Sequence, residues 1–233
     1  MKAKLHPRLT KPWSRAVRQP GAGPSDAAGI EAVERFVAEV ADRGHFTHRW
    51  ALGDMPRWEA LFRELEQRPA RLLEIGSFEG LSTCYFLWRL PQAFVTSVDT
   101  FAGSQEHQSE AVDTSELEAI FGANVALVDA TRVRKLVGDS KRVLLDLIEE
   151  GASFDLVYVD GSHLGLDVLV DAALSWRVVE QGGFLIFDDY PWAKLGEDPL
   201  LRPGPAVDAF RTLVDTRHEL VFVDYQLALR KIG

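Results

Sequence analysis

Residues 157–163, VYVDGSH, end an apolar run in Asp160, Gly161, Ser162 and His163, and residues 184–190, FLIFDDY, carry another run into Asp188 and Asp189. Two strand-like segments thus deliver carboxylates at their C-terminal ends. For any single acid the ordinary explanation is a cap: Asp160 for the helix after DGSHLG, Asp188 for a turn. Three at neighbouring strand ends ask for more, because adjacent carboxylates repel unless a cation or hydrogen-bond donors intervene. An all-oxygen set suits Mg2+ or Ca2+ rather than zinc, and such a cation binds hydroxyl groups and favours their ionised form. His163 could then take the proton, since imidazole accepts one near neutral pH without adding negative charge beside the cation. The competing reading makes His163 a helix cap or the hydrogen-bond partner of a carboxylate.

A second set lies upstream. LLEIGSFEGLST places Gly76 and Gly80 between a strand-like and a helix-like run, where backbone can turn tightly and approach a ligand. The N-terminus of the following helix favours anionic groups. Asp99 ends FVTSVD, close to the ~20-residue spacing at which an acid meets ribose hydroxyls in nucleoside-binding sheets. A dinucleotide fingerprint is missing, because Phe78 and Leu81 stand where G-x-G-x-x-G needs glycine. The pattern is E-x-G-x-x-x-G, with Glu74 at the strand end. An acid there repels pyrophosphate, which disfavours a nicotinamide oxidoreductase, and it suits a cofactor with an amino group and a sulfonium. A lone glycine turn is often structural; the loop gains weight from Asp99 and the later acids.

The elements that must position these groups follow from periodicity. A first helix is predicted from Ala27 to Arg43, with Ile30, Val33, Phe36, Val37 and Val40 on one face and Gly44 as its stop. Asp54 is expected to cap a second helix, with Pro56 in its first turn and Trp58, Leu61, Phe62 and Leu65 buried. Then short apolar runs alternate with helical stretches: RLLEIG, FVTSVD, VRKLVGD, FDLVYVD, GFLIFDD, ELVFVD and YQLALRK. The runs are too short and too uniformly apolar for a sheet wet on one side, so they read as central strands covered by helices on both faces. That is a doubly wound α/β domain of seven strands, the last two forming an antiparallel edge hairpin. Ligands of such sheets bind beyond the carboxyl ends of the strands. The stretch 102–131 is longer and more polar than a crossover helix needs, and reads either as part of an acceptor lid or as a solvated excursion.

Composition bounds the rest. With 233 residues, 46% of them hydrophobic, the chain can bury a substantial core as one large domain. The net charge is −9, yet residues 1–20 carry Lys2, Lys4, Arg8, Lys11, Arg15 and Arg18 without an acid, which leaves about −15 on the remainder. A phosphate backbone would be repelled by most of that surface, so nucleic acid is not an expected partner. The basic head, interrupted by Pro7, Pro12, Pro20 and Pro24, reads as a solvated arm, or as an arm that covers a pocket or a neighbouring subunit. No apolar run approaches the ~20 residues of a membrane span, and no apolar signal core begins the chain, so a cytoplasmic protein without membrane contact is expected. Cys84, in STCYFLW, reads as part of a packed helix face. His6, His45, His48, His107 and His218 are weaker candidates for chemistry, and Trp192 is either a wall of an acceptor site or a packed side chain.

LLEIGSFEG, VTSVDTFAGSQEH, LVGDSKRVL, FDLVYVDGSH and GGFLIFDDY, in that order, resemble the successive motifs of class I S-adenosylmethionine-dependent methyltransferases. More narrowly, VDGSH with DDY resembles the metal-dependent O-methyltransferase branch that includes catechol-type and sugar- or antibiotic-modifying enzymes. The resemblance covers roughly residues 70–230. It implies a single Rossmann-like domain at 70–233, strand order 3-2-1-4-5-7-6 with strand 7 antiparallel, preceded by a basic arm at 1–26 and capping helices at 27–69. It implies that Gly76, Ser77, Gly80 and Ser82 cradle the methionine part of the cofactor, Glu74 its amino end, Asp99 the ribose with Thr100 and Phe101 beside the adenosine, and Asp139 and Ser140 the adenine edge. Asp160 borders the cofactor and, with Asp188 and Asp189, holds a divalent cation, Mg2+; His163 is the general base. The expected reaction is methyl transfer to a hydroxyl of a small molecule. The alternatives are a metal-independent O- or N-methyltransferase and a non-catalytic binding module. The acceptor stays open among sugars, polyketides, peptide-derived molecules and catechols, as does assembly into a homo-oligomer.

Overall fold

The computed structural model describes residues 26–103 and 114–233. The basic arm with His6, and residues 104–113 with His107 and the first part of the expected lid, lie outside the described residues. Seven strands form one sheet: β1 (Arg71–Ile75), β2 (Phe94–Asp99), β3 (Val133–Val137), β4 (Phe154–Val159), β5 (Val179–Phe187), β6 (His218–Val223) and β7 (Leu227–Lys231). Their order is 3-2-1-4-5-7-6, with β7 antiparallel to both β5 and β6. The uniformly apolar runs occupy the centre: β4 is buried at every position, and β1 at all but Arg71. The strands with more exposed residues, β3 and β6, are the two edges.

Strand alternation sends successive side chains to opposite faces, and each face has its own core. Leu72, Leu156, Tyr158, Phe184 and Ile186 pack against the N-terminal helices, α3 (Leu81–Arg89) and α4 (Leu117–Ala126). Leu73, Val157, Val159, Leu185 and Phe187 pack against α5 (Ser140–Glu149), α6 (Gly165–Val178) and α7 (Pro203–Leu213). Cys84 lies fully buried in α3, a packed thiol as expected. Among the described residues no helix is long and apolar enough to cross a membrane.

Three local expectations need correction. The first helix is α1 (Asp26–Phe36) followed by a π turn at Val37–Ala41, so the helical ladder loosens before Gly44. Asp54 does not cap: it precedes a 3-10 turn at Met55–Trp58 and then α2 (Glu59–Leu65), and its side chain makes no capping bond. Its carboxylate is instead drawn to Arg57, 3.4 Å away. Within the polar stretch, α4 buries Leu117, Phe121, Asn124 and Val125 and is a packed helix rather than a solvated excursion.

Trp58 joins the N-terminal helices to the sheet. It is fully buried, its ring lies 5.0 Å from Phe86 and 5.2 Å from Tyr158, and its indole N–H donates to Gln226 Oε1 at 2.7 Å. Trp58→Ala would leave a cavity and an unpaired buried amide oxygen, costing about 3–5 kcal/mol. Urea denaturation should show that loss; a change under about 1 kcal/mol would contradict this role.

Candidate active site

Register assembles the site. Ile75 pairs with Val98 and with Val159, Val159 with Phe187, and Asp99 with Val137. The ladder continues one step past the strands: Gly76 N donates to Val98 O, Asp160 N to Ile75 O, Asp188 N to Val159 O and Gly138 N to Asp99 O, at 2.8–3.0 Å. Asp188, Asp160, Gly76, Asp99 and Gly138 therefore stand in a row along the carboxyl edge. The strand order turns outward on either side of β1 and β4, which is where ligands of open α/β sheets bind.

Asp160 shares a face with Tyr158, two residues earlier, and Asp188 shares it with Ile186. The Tyr158 hydroxyl lies between the two acids, 3.1 Å from Asp160 Oδ2 and hydrogen-bonded to Asp188 Oδ2. Gln226, anchored by Trp58, donates to the same hydroxyl at 3.4 Å. Asp189 adopts φ 53°, a left-handed conformation that aspartate tolerates better than most residues. The turn lets Asp189 Oδ2 meet His163 Nε2 at 2.9 Å, while Oδ1 accepts from the Tyr225 hydroxyl. Trp192 is packed rather than an open wall, with its ring 4.6 Å from that of His163. One ligand atom each from Asp160, His163 and Asp189 lie within 4.8 Å of one another. Asp188 is not among these three; its oxygens are engaged by Tyr158 and by the Asp189 amide.

The cluster is strongly acidic and buried. Burial, then Asp188 and Asp189, push the Asp160 carboxyl well above the usual range. Burial and Asp189 raise Asp188 to about 6. Asp54 arrives from the N-terminal segment as a further acid, raised to about 8 by burial and by Asp188. These acids, with the imidazole, are a donor set that a divalent cation fits.

The cofactor side has a different construction. Asp99 Oδ2 accepts from the amides of Ser77 (2.7 Å) and Phe78 (2.8 Å), and Oδ1 from that of Phe101 (2.7 Å), so its carboxylate is fixed at the lip of the loop. Gly76 and Gly80 have φ of 87° and 81°. Their need for glycine is met inside the protein: a Cβ at Gly76 would lie 1.9 Å from Asp160 O, and one at Gly80 2.9 Å from the Phe121 ring. Glu74 and Ser82 lie beneath the loop. The Glu74 carboxylate, raised by burial, accepts from the hydroxyls of Ser82, Thr83 and Ser97 in the core. The buried Ser77 hydroxyl sits near it without a well-formed hydrogen bond. Thr100 is exposed, and Phe101 packs on Phe121 at 5.3 Å. Asp139 caps α5 by accepting from Lys141 N, and Ser140 follows it. Asp99 and Ser140 offer hydrogen-bonding groups where a nucleoside would lie, so the residues fit such a cofactor.

Sequence reasoning missed Asp54, Tyr158, Tyr225 and Gln226. Tyr158 had a signal, its two-residue offset from Asp160; the other three are brought in by distant segments. The same N-terminal segment is tied to the cofactor loop, since Thr47 N and Oγ1 donate to Glu79 at 2.7 and 2.5 Å. His48 stacks on Trp50 at 4.2 Å, and His45 N donates to Asn124. His218 Nδ1 pairs with Val214 O, a structural role.

A model described as a methyltransferase domain matches residues 73–190, just over half the chain, and the chain belongs to that family. The fold is that of class I methyltransferases. It is similar to MycE, a methyltransferase of the mycinamycin biosynthetic pathway solved with Mg, SAH and mycinamycin VI (21% identity, TM-score 0.60, 90% of this chain and 55% of that one). It is also similar to the O-methyltransferase NovP (18%, 0.57, 89% and 98%) and to TomG from Streptomyces achromogenes, solved with SAM (19%, 0.53, 94% and 93%). At these identities the likeness is one of fold. An uncharacterized protein, R132 of Acanthamoeba polyphaga mimivirus, is 26% identical over 132 residues, 57% of each chain. The chain thus spans little more than half the length of MycE and matches R132 over a similar share.

The raised acids carry a sign for stability. Asp54 at about 8, Asp188 at about 6 and Asp171, buried in α6, at about 6 all lie above the 3.8 of the unfolded chain. The folded state then holds more protons between pH 4 and 8, and its stability falls as pH rises through that window. In chelator, the urea midpoint should be lower at pH 8 than at pH 6; an equal or higher midpoint would contradict these environments.

Proposed function

We propose that the protein transfers a methyl group from S-adenosylmethionine to a hydroxyl of a small molecule, with a divalent cation, Mg2+ foremost, at the carboxylate cluster. The observation that carries the reading is the grouping of Asp160, His163 and Asp189 within 4.8 Å at the strand-order switch, beside an Asp99 carboxylate fixed by three amides. When bound, the cofactor supplies an electrophilic methyl group and the cation lowers the cost of ionising a hydroxyl. Asp99 takes the ribose hydroxyls, and Ser140, with Asp139 beside it, lines the adenine edge. Gly76, Ser77 and Gly80 shape the loop along the methionine portion, while Glu74 and Ser82 support that loop from below. Asp160 and Asp189 would hold the cation. Asp188 stands behind them and, through Tyr158, fixes Asp160.

His163 accepts the proton of the acceptor hydroxyl at Nδ1, while its Nε2–H donates to Asp189, which orients the ring and stabilises the charged imidazolium. A second reading has an observation of its own: the His163 nitrogen lies within the 4.8 Å group and could serve as a cation ligand. His163→Ala separates them. A base predicts a ~10²–10⁴-fold slower transfer with cation content kept; a ligand predicts that both are lost. The assay follows SAM-to-SAH conversion over a panel of sugars, catechols, polyketides and peptides. Chelator should stop conversion and leave SAH binding intact, whereas full activity in excess chelator would favour the metal-independent alternative.

Asp99→Ala tests the cofactor half. Loss of charge-assisted hydrogen bonds to ribose should weaken SAH binding by about 1.5–3 kcal/mol, read by calorimetry. Unchanged affinity would remove Asp99 from the nucleoside site.

A further inference from the structure

Asp171 is a buried acid that neither the cation cluster nor the cofactor loop uses. It lies on α6, 1% exposed, and its Oδ1 accepts from the Ser140 hydroxyl at 2.7 Å. On its other side a Cβ at Gly161 would lie 3.8 Å from Oδ2, so the carboxylate is wedged between the start of α5 and the loop after Asp160. The charged groups facing it are Lys141, Asp167 and Asp139. Lys141 is engaged by Asp167, at 2.8 Å.

The chemistry of that one bond has a consequence at the cofactor. A serine hydroxyl owns a single proton, and a carboxylate can only accept. With its proton committed to Asp171, the half-buried Ser140 oxygen can only accept from whatever lies outside it. Ser140 follows β3 directly after Gly138 and Asp139, and Gly138 is bonded to the Asp99 backbone, so it stands on the nucleoside side of the edge. With adenine placed as proposed above, its six-membered ring would present an amino group there, a donor, where a 6-oxopurine would present an acceptor oxygen. We propose that Asp171 is a positioning residue for nucleobase selection, holding Ser140 Oγ as an acceptor so that the site takes an adenine amino group and rejects a 6-oxopurine. The inference rests on the nucleoside placement proposed above and deepens it.

Calorimetry at pH 8 compares SAH with S-inosylhomocysteine, its 6-oxo analogue, on the full chain. The wild type should bind SAH at least about tenfold more tightly, since a buried group left unpaired is what such discrimination rests on. Asp171→Ala frees the Ser140 proton to point outward, and the preference should fall at least about fivefold. In a Ser140→Ala background the same change should alter the ratio less than about twofold, because Asp171 acts through that hydroxyl. If Asp171→Ala does not fold, Asp171→Asn must lower the ratio, since an amide can donate to the serine oxygen. A ratio unchanged in the Asp171 variants, or equally reduced when Ser140 is absent, would overturn the proposal. A wild type that binds both ligands alike would overturn it while leaving the cofactor reading intact. No SAH binding at all would remove both.

Discussion

Two carboxylates held side by side at the end of an apolar sheet are the constraint around which this molecule is arranged. The pairing of Val159 with Phe187 puts Asp160 and Asp188 next to one another on one face, where burial and mutual repulsion disfavour both charges. The fold answers partly with neutral donors: the Tyr158 hydroxyl sits between the acids, Gln226 supports that hydroxyl, and Trp58 supports Gln226. Asp189 adds a third acid through a left-handed backbone that ordinarily costs on the order of 1–2 kcal/mol. Hydroxyl groups relieve such a cluster without neutralising it; retained protons do so at lower pH, and a divalent cation would take their place when the acids ionise.

The N-terminal helices do more than cover one face of the sheet. Trp58 sets the support behind Tyr158. Thr47 fastens the segment before Trp50 to Glu79 of the cofactor loop, and Asp54, just after Trp50, lies among the carboxylates. One stretch of chain thus touches both halves of the site, so a change in either half is felt by the same packed element.

The central strands were legible because parallel strands covered on both faces read as short unbroken apolar runs, and all seven runs became strands. That Asp160, His163 and Asp189 come close together was legible because strand ends in such a sheet converge on one edge. Asp54 is not a cap because the acids it meets, Asp188, Asp189 and Asp224, come from the far end of the chain and reach it only in the fold. Glu74 was read toward a ligand, yet its nearest hydroxyls are Ser82, Thr83 and Ser97 in the core, an arrangement set by α3 packing on β1 and β2. The pairing of Asp171 with Ser140 has no local signature either, since it joins two helices 31 residues apart.

One crevice is proposed to hold both a nucleoside cofactor at Asp99 and a cation at Asp160 and Asp189. Crystals grown with SAH and Mn2+, measured at the manganese absorption edge, test both at once. One anomalous peak is expected between the Asp160 and Asp189 carboxylates, with the SAH ribose on Asp99. A crevice that holds SAH but gives no peak there, or a peak elsewhere with Asp99 untouched, would contradict it.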